Sequence, residues 1–517
     1  MRQKLPIGIP TLAEIISEGY YYVDKTGMAL KLIEQGKYYF LSRPRGFGKS
    51  LFLDTLKEIF EGNQALFQGW QIAPHWDWTR RHPVVVIDFS GDTLASAPEL
   101  QACISQQLEE YERKFGLPAR YPDNRGRLRD LLARLHEQSG QTVVVLVDEY
   151  DNPILDNIDD QATALAMREQ LKTFYGVLKG ANVHLRFVML TGVSKFSKVN
   201  LFSGLNNLND ITLDPKWSSI CGYTASDVDS VFAPELEGLD REQIRIWYNG
   251  YNWRGEAVYN PFDLLLLFDT REFHPWWFAT GTPNFLIKLM RQRQFFTPKL
   301  AQLRTGAELI STFDVDNIAP EALLFQAGYL TIHHCEQSAA GNWRYTLGYP
   351  NREVEVSLNS ALLASYTPAD GGSTENAIRL EECLLANDVN ALRALFQAFF
   401  AGIPHNWYAN NPIAQYEGYY ASVFYSYFAA LGFDVRVEDA TNHGRIDMTV
   451  ILPERIFLFE FKVVELLPDG RALQQLKDKA YADKYRAHGL PLVLVGVEFS
   501  REARNVVSFE SETLGAV

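Results

Sequence analysis

The sequence predicts an α/β protein: a doubly wound parallel sheet, then a helical or winged-helix-like middle region, then a C-terminal mixed sheet. Residues 1–215 alternate short apolar runs with helical stretches, as a doubly wound sheet does. Residues 216–365 are rich in Trp, Tyr and Phe, and residues 401–517 contain apolar runs separated by turn residues. Between them, residues 366–400 begin with turn-forming residues and indicate a linker and a helical connector. A chain of 517 residues also exceeds one ordinary core.

The first element that carries chemistry is a glycine-rich turn between an apolar run and a helix. Residues 38–41 predict a strand, and residues 42–50 read Ser-Arg-Pro-Arg-Gly-Phe-Gly-Lys-Ser before the helix. In such a P-loop, backbone N–H groups and the lysine bind phosphate oxygens, and the final hydroxyl ligates Mg²⁺. Arg43 stands where the usual loop has its first glycine, so the entry turn is expected to differ. The predicted nucleotide-binding residues, with Ser50 as a metal ligand, are Arg45, Gly46, Phe47, Gly48, Lys49, Ser50 and Leu51.

An apolar run that ends in two acids predicts the strand that accompanies a P-loop. Residues 142–147 form this run, and Asp148 and Glu149 follow it. Asp148 is expected to hold Mg²⁺ through water, and Glu149 to activate the attacking water. A later apolar run ends in polar residues, of which Thr191 or Ser194 is expected to contact the γ-phosphate. The alternative is that the two acids only begin a loop.

A second chemical motif lies near the C-terminus, on two adjacent apolar runs. Glu460 and Lys462 share one face of the second run because side chains alternate along a strand. Asp447 opens the first run, and a turn between the runs predicts a hairpin that brings Asp447 beside Glu460. Two carboxylates and a phosphate oxygen suffice to hold Mg²⁺. Lys462 is then placed to orient or deprotonate water and to stabilise charge on phosphate. The alternative is an ordinary ion pair on one strand face.

This motif resembles the PD-(D/E)XK nuclease superfamily, whose Asp, spacer and Glu-x-Lys are matched by Asp447, Glu460 and Lys462. The resemblance implies a restriction-endonuclease-like fold, with Asp447 and Glu460 as metal ligands and Mn²⁺ as a possible substitute for Mg²⁺. It extends upstream to Glu417, on a helical stretch, where an acidic residue supports the metal site in that superfamily. Downstream, a second helical stretch carries the further candidates Gln475 and Tyr481.

The resemblance covers nearly the whole chain. Four segments look like a bacterial family that joins an AAA-type ATPase-like domain to a C-terminal PD-(D/E)XK domain, namely residues 22–26, 43–50, 202–208 and 259–261. In that family Arg43 is an expected variation. The resemblance implies an ATPase combined with a nuclease, with ATP and Mg²⁺ as cofactors, and it leaves the biological role open.

Composition and charge narrow the classes of function. With 47% hydrophobic and 22% charged residues, no run of ~18 apolar residues and no basic-plus-apolar leader, the chain is expected to be cytoplasmic. Its four scattered cysteines indicate reduced thiols. The net charge of −14 argues against an extended nucleic-acid surface. A local groove is expected instead, with phosphate contacts from Arg445, Lys462, Lys477, Lys479 and Lys484.

Two classes of function remain. The favoured one is a nucleotide-regulated, Mg²⁺-dependent nuclease that acts on nucleic acid, DNA being expected before RNA, and not at a membrane. The other is a noncatalytic ATP-dependent switch or scaffold whose nuclease fold is a binding module. A homo-oligomer is compatible with both. Replacing Glu460 by alanine separates the classes, because only the first class has a cleavage activity to lose.

Overall fold

A computed structural model gives the fold of the chain. It describes residues 2–91, 93–195, 207–279, 286–287, 289–290, 295, 297–307, 319–366, 372–401, 413–503 and 505–515, with backbone only at 279, 365–366, 372–374, 401 and 413–421. The chain divides into two compact units, Met1–Thr280 with Arg304–Asn351, and Gly281–Leu303 with Arg352–Val517. The domain boundaries predicted at residues 215, 365 and 400 stay predictions.

None of the helices in the described ranges is both long and apolar enough to cross a bilayer.

The first unit contains a five-stranded parallel sheet, which confirms the predicted class. Its strands are β1 (Tyr38–Ser42), β2 (Val84–Asp88), β3 (Val143–Asp148), β4 (Leu185–Gly192) and β5 (Asn209–Asp210). They lie in the order β2-β3-β4-β1-β5, and each neighbouring pair is parallel. Strand β4 therefore separates the strand before the P-loop from the strand before the two acids. The carboxyl ends of all three strands meet at one edge of the sheet, where ligands of such sheets bind.

Helices connect these strands and cover the sheet. They are α1 (Leu12–Ser17), α2 (Thr26–Gln35), α3 (Lys49–Glu61), α4 (Ala97–Lys114), α5 (Asn124–Ser139), α6 (Asn152–Leu155) and α7 (Gln161–Gly180). Local sequence fixes where two of them begin. The Asp123 carboxylate accepts a hydrogen bond from the first turn of α5, and Asp160 does the same for α7. Helix α3 contacts β2, β3 and β4, so the helix that follows the P-loop is anchored on the sheet.

The middle region is mainly helical. Its elements are α8 (Ala225–Val231), α9 (Arg241–Tyr248), α10 (Pro261–Thr270), α11 (Trp276–Ala279), β6 (Leu303–Gly306), α12 (Pro320–Gln326), β7 (Thr331–Gln337) and β8 (Trp343–Gly348). Strands β7 and β8 form an antiparallel pair. The aromatic residues that mark this region in the sequence form a buried cluster around Phe232, Tyr248 and Phe268, and Tyr21 from the N-terminal segment joins it.

The second unit begins with helices and ends in a mixed sheet. Its helices are α13 (Arg352–Tyr366), α14 (Gly372–Ala386), α15 (Val389–Ala401), α16 (Ile413–Ala430) and α17 (Arg471–Asp478), with a 3₁₀ segment at Tyr481–His488. The strands are β9 (Asp434–Thr441), β10 (Gly444–Ile451), β11 (Ile456–Val464), β12 (Leu492–Ser500) and β13 (Asn505–Leu514). They lie in the order β13-β12-β11-β10-β9, and only β11 and β12 run parallel.

Strand β11 has one aromatic face and one polar face, as its alternation predicts. The rings of Phe459 and Phe461 pack against Phe428 and Phe424 of α16, with centroids 5.3 and 5.1 Å apart. On the opposite face, Leu476 of α17 packs in a cluster that contains Leu458. Glu460 and Lys462 share the face of Leu458, and α17 is therefore the helix that can bring side chains to them.

Candidate functional sites

The P-loop has the backbone that binding of phosphate requires. Gly46 and Gly48 have φ angles of 81° and 88°, in the left-handed region, and Gly48 directly precedes α3. A Cβ on Gly46 would also lie 3.2 Å from the Asn260 side-chain oxygen and from Phe262 Cβ. Glycine at 46 is thus needed for backbone conformation and for space, whereas glycine at 48 is needed only for conformation. The N–H groups at the start of α3 are left to bind an anion.

Lys49 connects the P-loop to the acids that follow β3. Its side chain is only 3% exposed. The ammonium donates to the carbonyl oxygens of Arg43 and Pro44 at 3.1 and 3.2 Å, and it lies 3.0 Å from Glu149 Oε1. The lysine and the acid predicted to act on a nucleotide are therefore in direct contact.

A cavity of about 290 Å³ opens beside the P-loop. Every predicted loop residue from Arg45 to Leu51 lines it, and so does Glu149. The cavity continues between aromatic and aliphatic side chains, including Tyr22, Tyr223 and Phe262. A lining that combines polar loop groups with apolar rings suits a nucleotide, which has both phosphates and a base.

Asp148 is held in place from the neighbouring strand. Thr191 Oγ1 donates to Asp148 Oδ1 at 2.6 Å, and the Glu149 N–H donates to the same oxygen at 3.0 Å. The contact from Thr191 arises because β4 lies directly beside β3, whereas the contact from Glu149 is local. Glu149 itself has a φ of 47°, a conformation that costs a non-glycine residue free energy and is concentrated at functional sites. The structure thus brings Lys49, Asp148, Glu149 and Thr191 together.

Ser194 has different partners. Its backbone N–H and its hydroxyl donate to Asp151 Oδ2 at 2.6 and 2.5 Å, and the Val193 N–H donates to Asp151 Oδ1 at 3.2 Å. Asp151 is fully buried. Burial and the nearby charge of Glu149 raise the pKa of Asp151 to about 6. Sequence reasoning missed this residue. The only signal was a third carboxylate within four residues of β3, and it did not distinguish a structural acid from a turn residue.

The raised pKa of Asp151 predicts a pH dependence of stability. Because the folded chain holds this proton more tightly than the unfolded chain, the contribution is fully present below about pH 4 and is lost as the pH rises through about 6. We expect the first unit to lose on the order of 2 kcal/mol between these pH values. Asp151→Asn should be less stable overall, because an amide nitrogen cannot accept these hydrogen bonds, but it should lack this slope. Thermal unfolding of both proteins across pH 4–7 measures it, and equal slopes would contradict the assignment.

Arg43 occupies the entry of the P-loop as a structural anchor. Its guanidinium is fully buried and donates to the carbonyl oxygens of Ser42 at 2.8 Å, Thr212 at 3.0 Å and Trp217 at 3.1 Å. It also lies 4.0 Å over the ring of Trp253. Burial lowers the pKa of Arg43 to about 10, which leaves it charged at neutral pH. Its backbone does not adopt a positive φ, so this position tolerates a side chain.

The second site lies on the middle of β11, beside the start of β10. Met448 pairs with Phe459, so Asp447 reaches the level of Glu460, and the Phe461 N–H donates to Asp447 Oδ2 at 2.8 Å. Glu460 is fully buried. Its Oε1 accepts from Lys462 Nζ at 2.9 Å and also from Gln475 Nε2 of α17. The predicted Asp447, Glu460, Lys462 and Gln475 are therefore brought together in one place.

Two residues that sequence reasoning missed hold α17 over this site. Gly496 on β12 pairs with Glu460, and a Cβ there would overlap the backbone nitrogen of Leu473 and lie 2.7 Å from its Cα. Glycine is thus what allows α17 to approach the sheet. Glu498, also on β12 and buried, accepts from the Asp469 N–H at 2.8 Å and from the Ala472 N–H at 3.3 Å, which fixes the start of α17. A glycine and an acid inside an apolar strand were the available signals.

Gly496→Ala is expected to displace α17 and withdraw Gln475 from Glu460. The new methyl group would meet backbone atoms, which cannot rotate away as a flexible side chain can. Overpacking of this kind costs about 1–3 kcal/mol. If the site is catalytic, nucleic-acid cleavage should fall about 10–100-fold, since misplacing a supporting group by about 1 Å has effects of that size. Thermal unfolding and a cleavage assay measure the two effects. Gly515→Ala, where a Cβ would meet open space, should change neither, and a Gly496→Ala protein that behaves like it would refute the role of the glycine.

The remaining candidates differ in position. Glu417 lies on α16, and its side chain lies outside the described residues. Tyr481 is a buried member of the cluster under α17. Besides Lys462, which pairs with Glu460, three of the predicted phosphate contacts are paired with acids: Arg445 with Glu438, Lys477 with Glu512, and Lys484 with Asp439. In the described part of the chain no group of three or more His, Cys, Asp or Glu side chains could hold a metal ion. Asp447 and Glu460 are carboxylates on paired strands, and carboxylate oxygens are ligands that Mg²⁺ prefers.

Comparison with known proteins identifies the two regions of the chain that carry these sites. Residues 6–202 match the family model described as a predicted AAA-ATPase, and residues 415–509 match a PD-(D/E)XK nuclease superfamily model. A protein of Azotobacter chroococcum mcd 1, named "Uncharacterized protein in vnfD 5'region", is 59% identical over 515 residues, which cover 99% of this chain and 100% of that protein. The chain belongs to the same family as that protein, and it joins an AAA-ATPase-like domain to a C-terminal PD-(D/E)XK nuclease superfamily domain.

Proposed function

We propose that the protein is a nucleotide-regulated, Mg²⁺-dependent nuclease that hydrolyses phosphodiesters of nucleic acid, with DNA as the expected substrate. The observation that carries the proposal is the convergence on the middle of β11. A buried carboxylate, Glu460, accepts hydrogen bonds from Lys462 and Gln475. The Asp447 carboxylate, on β10, accepts from the N–H of Phe461, which follows Glu460 on β11. An isolated ion pair on a strand face needs neither the second carboxylate nor the amide from α17.

The side chains at this site have separable roles. Asp447 and Glu460 would hold the divalent cation, which when bound neutralises phosphate charge and lowers the pKa of a coordinated water. The Lys462 side chain is 32% exposed, so its ammonium can reach both Glu460 and solvent. It would orient the attacking water and stabilise charge that develops on the phosphate. Gln475 fixes the orientation of the Glu460 carboxylate by donating to Oε1.

The nucleotide site supplies the regulation in this proposal. N–H groups of the P-loop and Lys49 would bind the phosphates, while Ser50 and Asp148 would hold the accompanying Mg²⁺. Lys49 now donates to two loop carbonyls and contacts Glu149. Contact with a γ-phosphate would draw the ammonium away from Glu149, and the released carboxylate could then accept a proton from water. Of the two predicted phosphate-sensing residues, the proposal favours Thr191, because it donates to Asp148.

The test is cleavage of labelled single- and double-stranded DNA and RNA by the wild type and by Lys49→Ala. Each protein is assayed with Mg²⁺, Mn²⁺ or EDTA, and with or without ATP. We expect metal-dependent cleavage by the wild type, a change in its rate with ATP, and no response to ATP in Lys49→Ala. Lys57→Ala, on the same helix but outside the lining of the cavity, is the matched control and should respond to ATP.

The outcomes separate the parts of the proposal. Cleavage that is equal with and without ATP would leave a nuclease without nucleotide control. ATP binding that depends on Lys49, with no cleavage of any substrate, would favour the noncatalytic switch.

A further inference from the structure

Two adjacent leucines next to the proposed nuclease site are exposed to solvent. Leu466 and Leu467, here called the leucine tip, have 48% and 75% of their surface exposed. They lie in the loop of residues 465–470, which connects β11 to α17. Two neighbouring leucines left in water lose the free energy that burial would provide, so the tip is a candidate contact surface.

The loop that carries the leucine tip is fixed on both sides. Before the tip, the Arg501 and Glu502 N–H groups donate to the carbonyl oxygens of Val464 and Glu465 at 2.9 and 3.1 Å. The Ser500 hydroxyl also donates to the Glu465 carbonyl oxygen, at 2.9 Å. After the tip, Glu498 accepts from the Asp469 N–H at 2.8 Å. The leucines are therefore presented outward by a loop whose two ends are hydrogen-bonded to the sheet.

The position of the tip links it to the proposed catalytic groups. Leu467 follows Lys462 by five residues, and an extended chain spans at most about 3.5 Å per residue, so the two Cα atoms lie within about 18 Å of each other. Duplex DNA rises 3.4 Å per base pair, and 18 Å thus corresponds to about five base pairs. A duplex with one phosphodiester at Glu460 is therefore long enough to reach the leucine tip.

Two acids of the loop that carries the tip have basic partners. Glu465 pairs with Arg501, and Asp469 pairs with Arg471 at 3.1 Å. These two acids are thus neutralised by basic partners, whereas the nearby Glu502 is exposed. An apolar tip between two neutral ion pairs suits the bases of a nucleic acid better than it suits a strongly charged protein partner.

We infer that the leucine tip inserts against stacked bases of a DNA duplex and unstacks a base step close to the bond that is cut. This inference rests on the proposed function. Apolar wedges, including leucine, open base steps in this way and allow the duplex to bend toward the protein surface. The tip would place the scissile phosphodiester at Asp447 and Glu460 by deforming the duplex, without reading its sequence.

The experiment uses the full chain with Glu460→Gln, so that the duplex is bound without being cut, and a DNA duplex that contains 2-aminopurine. Binding is expected to raise 2-aminopurine fluorescence as the base unstacks. Adding Leu466→Ser and Leu467→Ser should remove most of that rise and weaken Kd about tenfold, which is less than the full burial of one leucine provides. The matched control is Ile378→Ser with Leu385→Ser on α14. These residues are 53% and 55% exposed, and the control should keep the fluorescence rise and the Kd.

The possible results distinguish this inference from the proposed function. If the wild type cleaves DNA but the leucine variant binds with an unchanged fluorescence rise and Kd, the leucine tip has no role and the nuclease proposal stands. If neither cleavage nor duplex binding is detected, both fail. If the leucine variant instead dissociates an oligomer in sedimentation, the tip is a contact between copies of the chain and the inference is wrong. Equal thermal unfolding of the leucine variant and its parent ensures that lost binding is not lost folding.

Discussion

Glu460→Gln is expected to lower nucleic-acid cleavage about a thousandfold, the upper range for loss of one electrostatic catalytic group. The substitution keeps the shape of the side chain and an oxygen that can accept from Lys462 and Gln475. It removes the negative charge that a divalent cation requires, and only Asp447 then remains of the two described carboxylates. The measurement is the initial rate of cleavage at several Mg²⁺ concentrations.

The same substitution should not weaken the fold. Glu460 is fully buried, and holding a charge away from water costs free energy that neutral glutamine avoids. We therefore expect the thermal midpoint of Glu460→Gln to be equal to or above that of the wild type. Glu454→Gln is the matched control, because Glu454 lies in the turn of the same hairpin with 84% of its side chain exposed, and it should change neither property. A thermal midpoint that falls together with the rate would instead mark Glu460 as a structural residue.

Arg43→Met is expected to destabilise the first unit by about 3–5 kcal/mol, the effect of breaking a buried charged network. Methionine is of similar length, but it cannot donate to the carbonyl oxygens of Ser42, Thr212 and Trp217. Each of these buried acceptors then loses the partner that compensates its removal from water. The cation–π contact with Trp253 is lost as well. The thermal transition of the first unit measures this effect.

A second substitution separates charge from geometry at this position. Arg43→Lys keeps the positive charge, but an ammonium is a single point and cannot span three carbonyls while lying flat on Trp253. We expect it to recover less than half of the lost stability. Arg45→Met, in the same loop but exposed, should leave the thermal transition unchanged. If Arg43→Lys kept the full stability of the wild type, the positive charge alone would stabilise the first unit, and the hydrogen bonds of the guanidinium to the three carbonyl oxygens would not.

Local pattern was enough to determine several features of this protein. The alternation of side chains along β11 placed Glu460 and Lys462 on one face and the phenylalanines on the other, because a strand imposes a period of two whatever surrounds it. The glycines of the P-loop likewise marked a turn into α3, because few other residues adopt the positive φ angles found at 46 and 48. The strands of the first unit were also predictable from short apolar runs that alternate with helical stretches. Each of these runs can be recognised from a few consecutive residues.

Other features were decided only by packing between distant segments. The sequence did not distinguish the surroundings of Thr191 and Ser194, whereas in the structure Thr191 donates to Asp148 on the neighbouring strand and Ser194 donates to Asp151. Arg43 and Gly496 are locally unusual, as an arginine at a glycine position and a glycine inside an apolar strand, but their roles could not be predicted because their partners lie on segments far along the chain. A single sequence specifies periodicity and turns directly. The neighbours of each strand depend on the summed burial of the whole core, so the anchors of both sites emerged only from the tertiary structure.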